Sequence, residues 1–191
     1  MAEFRHETDR LVLRDWREED WARFFAVTNT EPVMRWLGGV LDEAGMAATR
    51  ARVTGCAAHH GHCFWLVERK PDGGHLAGAV LGFCGLKRAN APGSTVTGRM
   101  EIGWRLREEA WGQGYAKEAA RAAIDLAFTR FGAEELVALT IAKNEASWGL
   151  MHRLGFTRRA ELDYSDPRYD PPWRDTVVYS LARSDWQHTD A

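Results

Sequence analysis

Several features are scarce in this chain of 191 residues, and each scarcity closes off a class of protein. No apolar run approaches the ~20 residues needed to span a bilayer. The opening MAEFRHETDRLVLRDW lacks the basic-then-apolar layout of a signal peptide, so a cytoplasmic protein is expected. There are only three cysteines, Cys56, Cys63 and Cys84, an odd number without framework spacing, as expected of reduced thiols. Prolines number six, and no Pro/Gly/Ser-rich stretch or charge run divides the chain, which predicts one domain over residues 1–191. Charge of one sign is scarce too. Lys and Arg total 25 against 27 Asp and Glu, a net charge of -2 with the signs interspersed, so neither nucleic acid nor a membrane is expected as partner. Two phosphate-loop signatures are missing, GxxxxGK[ST] and GxGxxG with an acid some twenty residues on, which weighs against ATP and NAD.

What is present is an ordinary globular composition, 45% hydrophobic and 27% charged, with an unusual nine tryptophans. Most of the indoles are expected to pack or to line a pocket. Residues 10–16 alternate apolar and polar, as in a half-buried strand. The acids Glu18, Glu19 and Asp20 open a first helix, and a second helical region runs from about Pro32 to His59, broken at Gly38-Gly39. Residues 63–68 and 75–86 read as strands joined by a tight turn at Pro71-Asp72-Gly73-Gly74. After a polar loop at 90–98, residues 100–106 form a fourth strand.

That strand leads into Gly112-x-Gly114-x-Ala116 and a long helix with an apolar stripe from Ala116 through Ala120, Ala123, Ile124, Ala127 and Phe128 to Phe131. Lys117, Glu118, Arg121, Asp125 and Arg130 are placed toward water, and Gly132 ends the helix. A buried strand at 135–142, a short helix at 144–154 capped by Asn144, and strands at 156–163 and 175–182 complete the chain. The Asp-, Pro- and Tyr-rich loop between those last strands is expected to be the most mobile part.

Strand, glycine turn, helix is the informative unit. Glycines let a ligand approach the backbone, and the free N–H groups of the first helical turn suit a pyrophosphate. The same pattern also describes a plain tight turn. The cluster Cys56, His59, His60, His62, Cys63 matches no CxxC or HxxxH spacing, so no metal is expected.

Three ordered motifs resemble one family: Glu101-Ile-Gly-Trp-Arg-Leu, then Trp111-Gly-Gln-Gly-Tyr-Ala-Lys-Glu-Ala, then Asn144-x-x-Ser147 with Leu154-Gly155-Phe156. Together they resemble the GNAT N-acetyltransferases, in the branch of the ribosomal-protein alanine acetyltransferases. The likeness extends from Thr8-Asp9-Arg10-Leu11-Val12-Leu13-Arg14 to Tyr179-Ser180-Leu181. It implies an α/β fold with a mixed, mostly antiparallel twisted sheet of about seven strands flanked by helices, splayed between the fourth and fifth. It implies acetyl-CoA as co-substrate and a primary amine as acceptor, either a protein N-terminus or a small molecule, in a monomer or homodimer.

Residue by residue, the resemblance places the pyrophosphate on Trp111, Gly112, Gln113, Gly114, Tyr115, Ala116 and Lys117. Trp111 departs from the general family pattern but fits this branch. Trp104, Arg105 and Leu106 would line the pantetheine arm, with Asn144 and Ser147 beside it. Where many members have a thiolate-protonating tyrosine, this chain has Met151, which leaves Ser147 as candidate acid or as a small packing residue. Glu101 stands as general base or as a strand carboxylate paired to Arg99 or Arg14. Trp36, Trp65, Trp104, Tyr164 and Trp173 are the candidate aromatic wall of the acceptor site. The clearer binding than catalytic residues leave open a non-catalytic acyl-CoA-binding module.

Overall fold

The computed structural model describes residues 3–186, so the first two and last five positions of the domain expected over residues 1–191 lie outside the described residues. It is a mixed α/β fold with an open, mostly antiparallel sheet and flanking helices. Two compact units make up the described residues, one of residues 3–85 with 104–122, the other of residues 86–103 with 123–186.

The first unit begins with β1 (Arg5–Glu7) and β2 (Leu11–Arg14), paired antiparallel, followed by α1 (Asp20–Thr28), α2 (Glu31–Met34) and α3 (Glu43–His60). β3 (Phe64–Arg69) pairs antiparallel with β2 and with β4 (Val80–Arg88). β2 is buried at all four positions and almost all of β3 is buried, so both read as continuous rather than alternating apolar runs. Trp21, Phe24, Phe64 and Phe83 form the centre of an aromatic core, with Phe64 and Phe83 stacked at 4.6 Å. Trp16 lies on Trp21 at 3.9 Å and donates its Nε1–H to the Phe64 carbonyl. Burying an indole with its one donor satisfied explains why such a sequence tolerates so much tryptophan.

The turn expected at Pro71-Gly74 is a longer excursion. β3 ends at Arg69 and β4 starts only at Val80, because Leu76 takes a positive φ of 57° and the Arg69 amide donates to Ala79 O. Thus residues 75–79 turn rather than extend.

In the second unit β5 (Met100–Leu106, its last three residues belonging to the first unit) runs parallel to β6 (Glu135–Ile141). That ladder matches Met100, Glu101 and Ile102 with Leu136, Val137 and Ala138 and stops there, while β6 goes on to Ile141 paired with β9 (Asp175–Ala182). β7 (Thr157–Arg158) and β8 (Tyr164–Ser165) flank β9. The sheet has nine strands among the described residues, two more than expected, because β1 and β8 are too short to show any alternation. The strand expected at 156–163 shrinks to β7 followed by a 3-10 turn, since Asp163 is drawn to Arg158 and accepts from the Val178 amide.

α4 (Tyr115–Thr129) contributes its start to the first unit and its remainder to the second. Ala123, Ile124, Ala127 and Phe128 of its expected stripe are buried, and so are Ala119 and Ala122. Glu118 and Asp125 do not simply face water: Glu118 binds Thr8 and Arg10, and Asp125 accepts from the Trp186 indole.

Candidate active site

In the first unit the loop before α4 is exposed from Trp111 to Gly114, and the chain then buries Tyr115. Gly112 and Gly114 take φ values of 73° and 80°, which side-chain-bearing residues rarely adopt. A Cβ on Gly112 would meet nothing within 4 Å, so glycine is needed there for conformation and the space beside it is open. On Gly114 it would come within 3.3 Å of an Arg10 guanidinium nitrogen. Trp111 enters the loop 48% exposed, with its Nε1–H donated to Leu106 O, which pins the loop to the end of β5.

Beneath the loop is a dense polar frame. The Tyr115 ring is 2% exposed; its hydroxyl accepts from Arg69 Nε at 3.2 Å and donates to His75 O at 3.0 Å. Arg69 also donates to Asp72, Arg10 O and Lys70 O. Glu118, one turn into α4, accepts from Thr8 Oγ1, Arg10 N and Arg10 Nε at 2.6, 2.8 and 2.7 Å. Burial alone would raise its carboxyl, but these donors outweigh burial and hold it below the usual carboxylate range. Lys117 is exposed, Ala116 half-buried and Arg105 buried, with its guanidinium 5.2 Å from the Phe83 ring.

Glu101, in the second unit, faces Lys87 of β4, with Lys87 Nζ at 2.6 Å from Oε2 and both side chains largely shielded. The expected arginine pairing is therefore corrected. Arg99 goes to Glu135, and Arg14 spends all five N–H groups on Asp20, Glu68 and Asp15 O. Tyr164 is close enough for the Glu101 charge to act on it. Burial pushes its hydroxyl up, Ser94 and Thr176 hydrogen-bond it, and Glu101 adds a smaller upward push.

Asn144 precedes α5 (Glu145–Arg153), but its side chain makes no capping bond; the backbone carbonyl serves instead, accepting from Ser147 N and Trp148 N. The capping role expected of that side chain is thus not used. Ser147 is half-buried in the first turn, and Met151 is 1% exposed, a core residue.

Of the aromatic wall, Trp36 is half-buried in the first unit, as is Trp104 on β5, and Tyr164 and Trp173 are half-buried in the second. Trp65 is a correction. It is 2% exposed and stacks on Phe4 at 4.4 Å, because its β3 position points into a face covered by the N-terminal segment. The loop at 164–174 is tied back as a hairpin, with Tyr164 opposite Thr176 and Asp166 N donating to Arg174 O.

Sequence reasoning missed Lys87 and the Thr8–Arg10–Glu118 frame. Lys87 stood one residue beyond the strand predicted at 75–86, which hid its facing Glu101; Glu118 had no signal, its partners lying more than 100 residues earlier. Among the described residues no group of three or more His, Cys, Asp and Glu could hold a metal ion, and no helix is long and apolar enough to cross a membrane.

The family model of the acetyltransferase (GNAT) domain matches residues 10–157. The chain belongs to the GNAT acetyltransferase family. Bacillus subtilis YkkB is 32% identical over 78% of this chain and 82% of its own length. An Agrobacterium tumefaciens acetyltransferase superposes with a TM-score of 0.76 at 24% identity over 96% of both chains. The ribosomal-protein-S5-alanine acetyltransferase of Vibrio fischeri does so at 0.71 and 19%, over 96% of this chain and 99% of its own. As a GNAT member the chain is an acyl-CoA-dependent acetyltransferase, and the reading as a non-catalytic binding module gives way to that of an enzyme.

Proposed function

We propose that this GNAT acetyltransferase moves an acetyl group from acetyl-CoA to a primary amine, a protein N-terminal α-amine or a small-molecule amine, within one acyltransferase domain of residues 1–191. Its place of action would be the cytoplasm, and neither nucleic acid nor membrane would be a partner. The observation that carries the reading is the exposed glycine loop ahead of α4, where two positive-φ glycines leave peptide N–H groups accessible and the space beside Gly112 open. That cradle fits a diphosphate better than a packed turn would. The half-exposed Trp111, tied to the end of β5, offers a track for the pantetheine arm.

Acetyl-CoA supplies an activated thioester when bound. Backbone N–H groups at Trp104, Arg105 and Leu106 would polarise its carbonyl, Asn144 would hold the arm, and Glu101 would take the proton from the ammonium, directly or through one water. The amine nitrogen then bonds to the acyl carbon as the C–S bond breaks, and Ser147 would give a proton to the departing sulfur. An α-amine, with a pKa near 8, is about 10% neutral at pH 7, whereas a lysine near 10.4 is roughly 0.04% neutral, so the α-amine demands less of the base. The similarity to a ribosomal-protein alanine acetyltransferase supports the same choice. No covalent enzyme intermediate is invoked. Cys84 is fully buried, and burial pushes its thiol well up, which disfavours a thiolate nucleophile.

The test is thermal unfolding with acetyl-CoA, CoA, ATP or NAD added separately. A ligand at a hundredfold over its Kd stabilises by about 2.7 kcal/mol. Stabilisation by the CoA compounds alone, followed by amine-dependent thiol release, is expected. No shift with them, or a larger one with ATP or NAD, would refute the reading.

A further inference from the structure

The one feature of the loop that the family motif does not account for is the arginine lying against it. Arg10 immediately precedes β2, and its main chain is fixed at both ends: N donates to Glu118, and O accepts from Lys70 N and Arg69 Nη1. Its side chain is extended flat across the loop. Nε is bound to Glu118 at 2.7 Å, Nη1 to Gln113 O at 3.0 Å, and the guanidinium stacks 4.6 Å from the centre of the Tyr115 ring. Nη2 points the remaining way, toward Gly114, and lies 3.3 Å from where a Cβ on that glycine would stand. None of the described residues accepts a hydrogen bond from Nη2, and 39% of the side chain is exposed.

Arg14 in the same unit, 4% exposed, spends all five N–H groups on protein acceptors. In Arg10 both N–H groups of Nη2 are without an acceptor among the described residues and lie on the side of Gly114. The local charge also leaves room for an anion. Beside the loop Glu118 answers Arg10 and Asp72 answers Arg69, while Lys117 is an exposed cation in the first turn of α4. Gly114 therefore serves two ends, permitting a positive φ and letting the guanidinium close up beside the peptide N–H groups.

We propose that Arg10 is a direct binding residue for the diphosphate of acyl-CoA, donating from Nη2 beside the amides of the glycine loop. The inference rests on the acyl-CoA reading above. It makes the N-terminal segment part of the co-substrate site, held in place by Thr8 and Glu118. A planar guanidinium suits phosphate oxygens in a way that an ammonium does not, so lysine is only a partial substitute.

The experiment measures Kd by calorimetry for CoA, for dephospho-CoA, which keeps the diphosphate but lacks the 3′-phosphate, and for pantetheine, which lacks both. Wild type, Arg10→Gln and Arg10→Lys are compared, each checked by thermal unfolding without ligand. Arg10→Gln should weaken CoA and dephospho-CoA alike by about ten- to a hundredfold, the range of one charge-assisted hydrogen bond, and leave pantetheine within twofold. Arg10→Lys, which keeps the charge and the main-chain ties, should lose CoA affinity by a smaller factor with pantetheine again unchanged, and it carries the test if the glutamine variant does not fold. Equal losses for CoA and pantetheine in either variant would mean that Arg10 acts through the fold and not at the diphosphate. A loss for CoA but not dephospho-CoA would move the contact to the 3′-phosphate, and wild-type affinity in both variants would remove any contact; each overturns the proposal. Failure of the wild type itself to bind CoA would instead strike the acyl-CoA reading, with no variant involved.

Discussion

Glu118 and Glu101 are each carboxylates on elements that the family motif singles out, and they are held in opposite ways. Glu118 accepts from a hydroxyl, a peptide N–H and a guanidinium, all from residues 8 and 10. Glu101 faces, among the described residues, a single cation, the flexible ammonium of Lys87 across the β4–β5 pair. A carboxylate whose lone pairs are filled by three fixed donors cannot take a proton without breaking the structure that holds it. One matched by a single rotatable ammonium can release its partner and accept a proton. The difference separates a structural acid from a candidate base more sharply than burial does, since the two side chains are 17% and 12% exposed.

The largest expected effect extends the first kind of arrangement to its limit. Arg14 is 4% exposed and gives all five N–H groups away, four of them to Asp20 and Glu68. Arg14→Met leaves the shielded Asp20 and Glu68 with only the more distant Arg23, 3.9 Å from Glu68, and breaking a buried pair from one side costs about 3–5 kcal/mol. Denaturant unfolding should show that loss; a change below 1 kcal/mol would mean that the network is not a fixed frame.

Next comes the opposite pattern at Glu101. Glu101→Gln should slow acetyl transfer by about a hundredfold with a lysine-like acceptor and less with an α-amine, while leaving CoA affinity and stability near wild type. A variant that unfolds instead, with unchanged turnover in the folded fraction, would place Glu101 in the structural class beside Glu118. Glu118→Gln is the companion. It should cost about 1–2 kcal/mol of stability, the range of hydrogen bonds to a charged group that is partly exposed, and its turnover at saturating acetyl-CoA should stay close to wild type.

Much of this contrast could not be read from the chain. The strands at 100–106 and 175–182 and the start of the long helix were legible because alternation and apolar stripes are local signals. The glycine loop was legible because paired glycines between a strand and a helix mark a backbone shape that other residues resist. β1 and β8 were not, being two or three residues long and defined by their partners. Nor was the task of Glu118, which looked like a solvent-facing helix residue because its partners are brought to it by the fold alone. Trp65 shows the same gap from the other side, since an indole on a strand reads equally well as a pocket wall or as core until Phe4 is seen lying on it.

The smallest expected effect is a pH dependence that divides the two regions. Asp20 is pushed up by burial, but the Arg14 fork and the Arg17 amide outweigh this and leave its carboxyl below the ordinary value. Glu68 is lowered chiefly by Arg14, and Glu118 by its three donors against burial. All three are depressed in the folded state, so each contributes stability that is fully present above the unfolded carboxylate pKa, near 4, and is lost as pH falls through the lower folded value. In the second unit Asp166, itself buried, is held down by Arg168, whose side chain is half exposed. Acidification from pH 6 to pH 3.5 should therefore lower amide-exchange protection in β2 and β3 before β6 and β9, once intrinsic rates are divided out. Added salt should blunt the change little, because the first unit's charges are shielded from counterions. Equal loss of protection in the two regions would show that the carboxylates around Arg14 and Arg10 titrate like ordinary surface acids, and the distinction between a saturated and an available carboxylate would then rest on Glu101 alone.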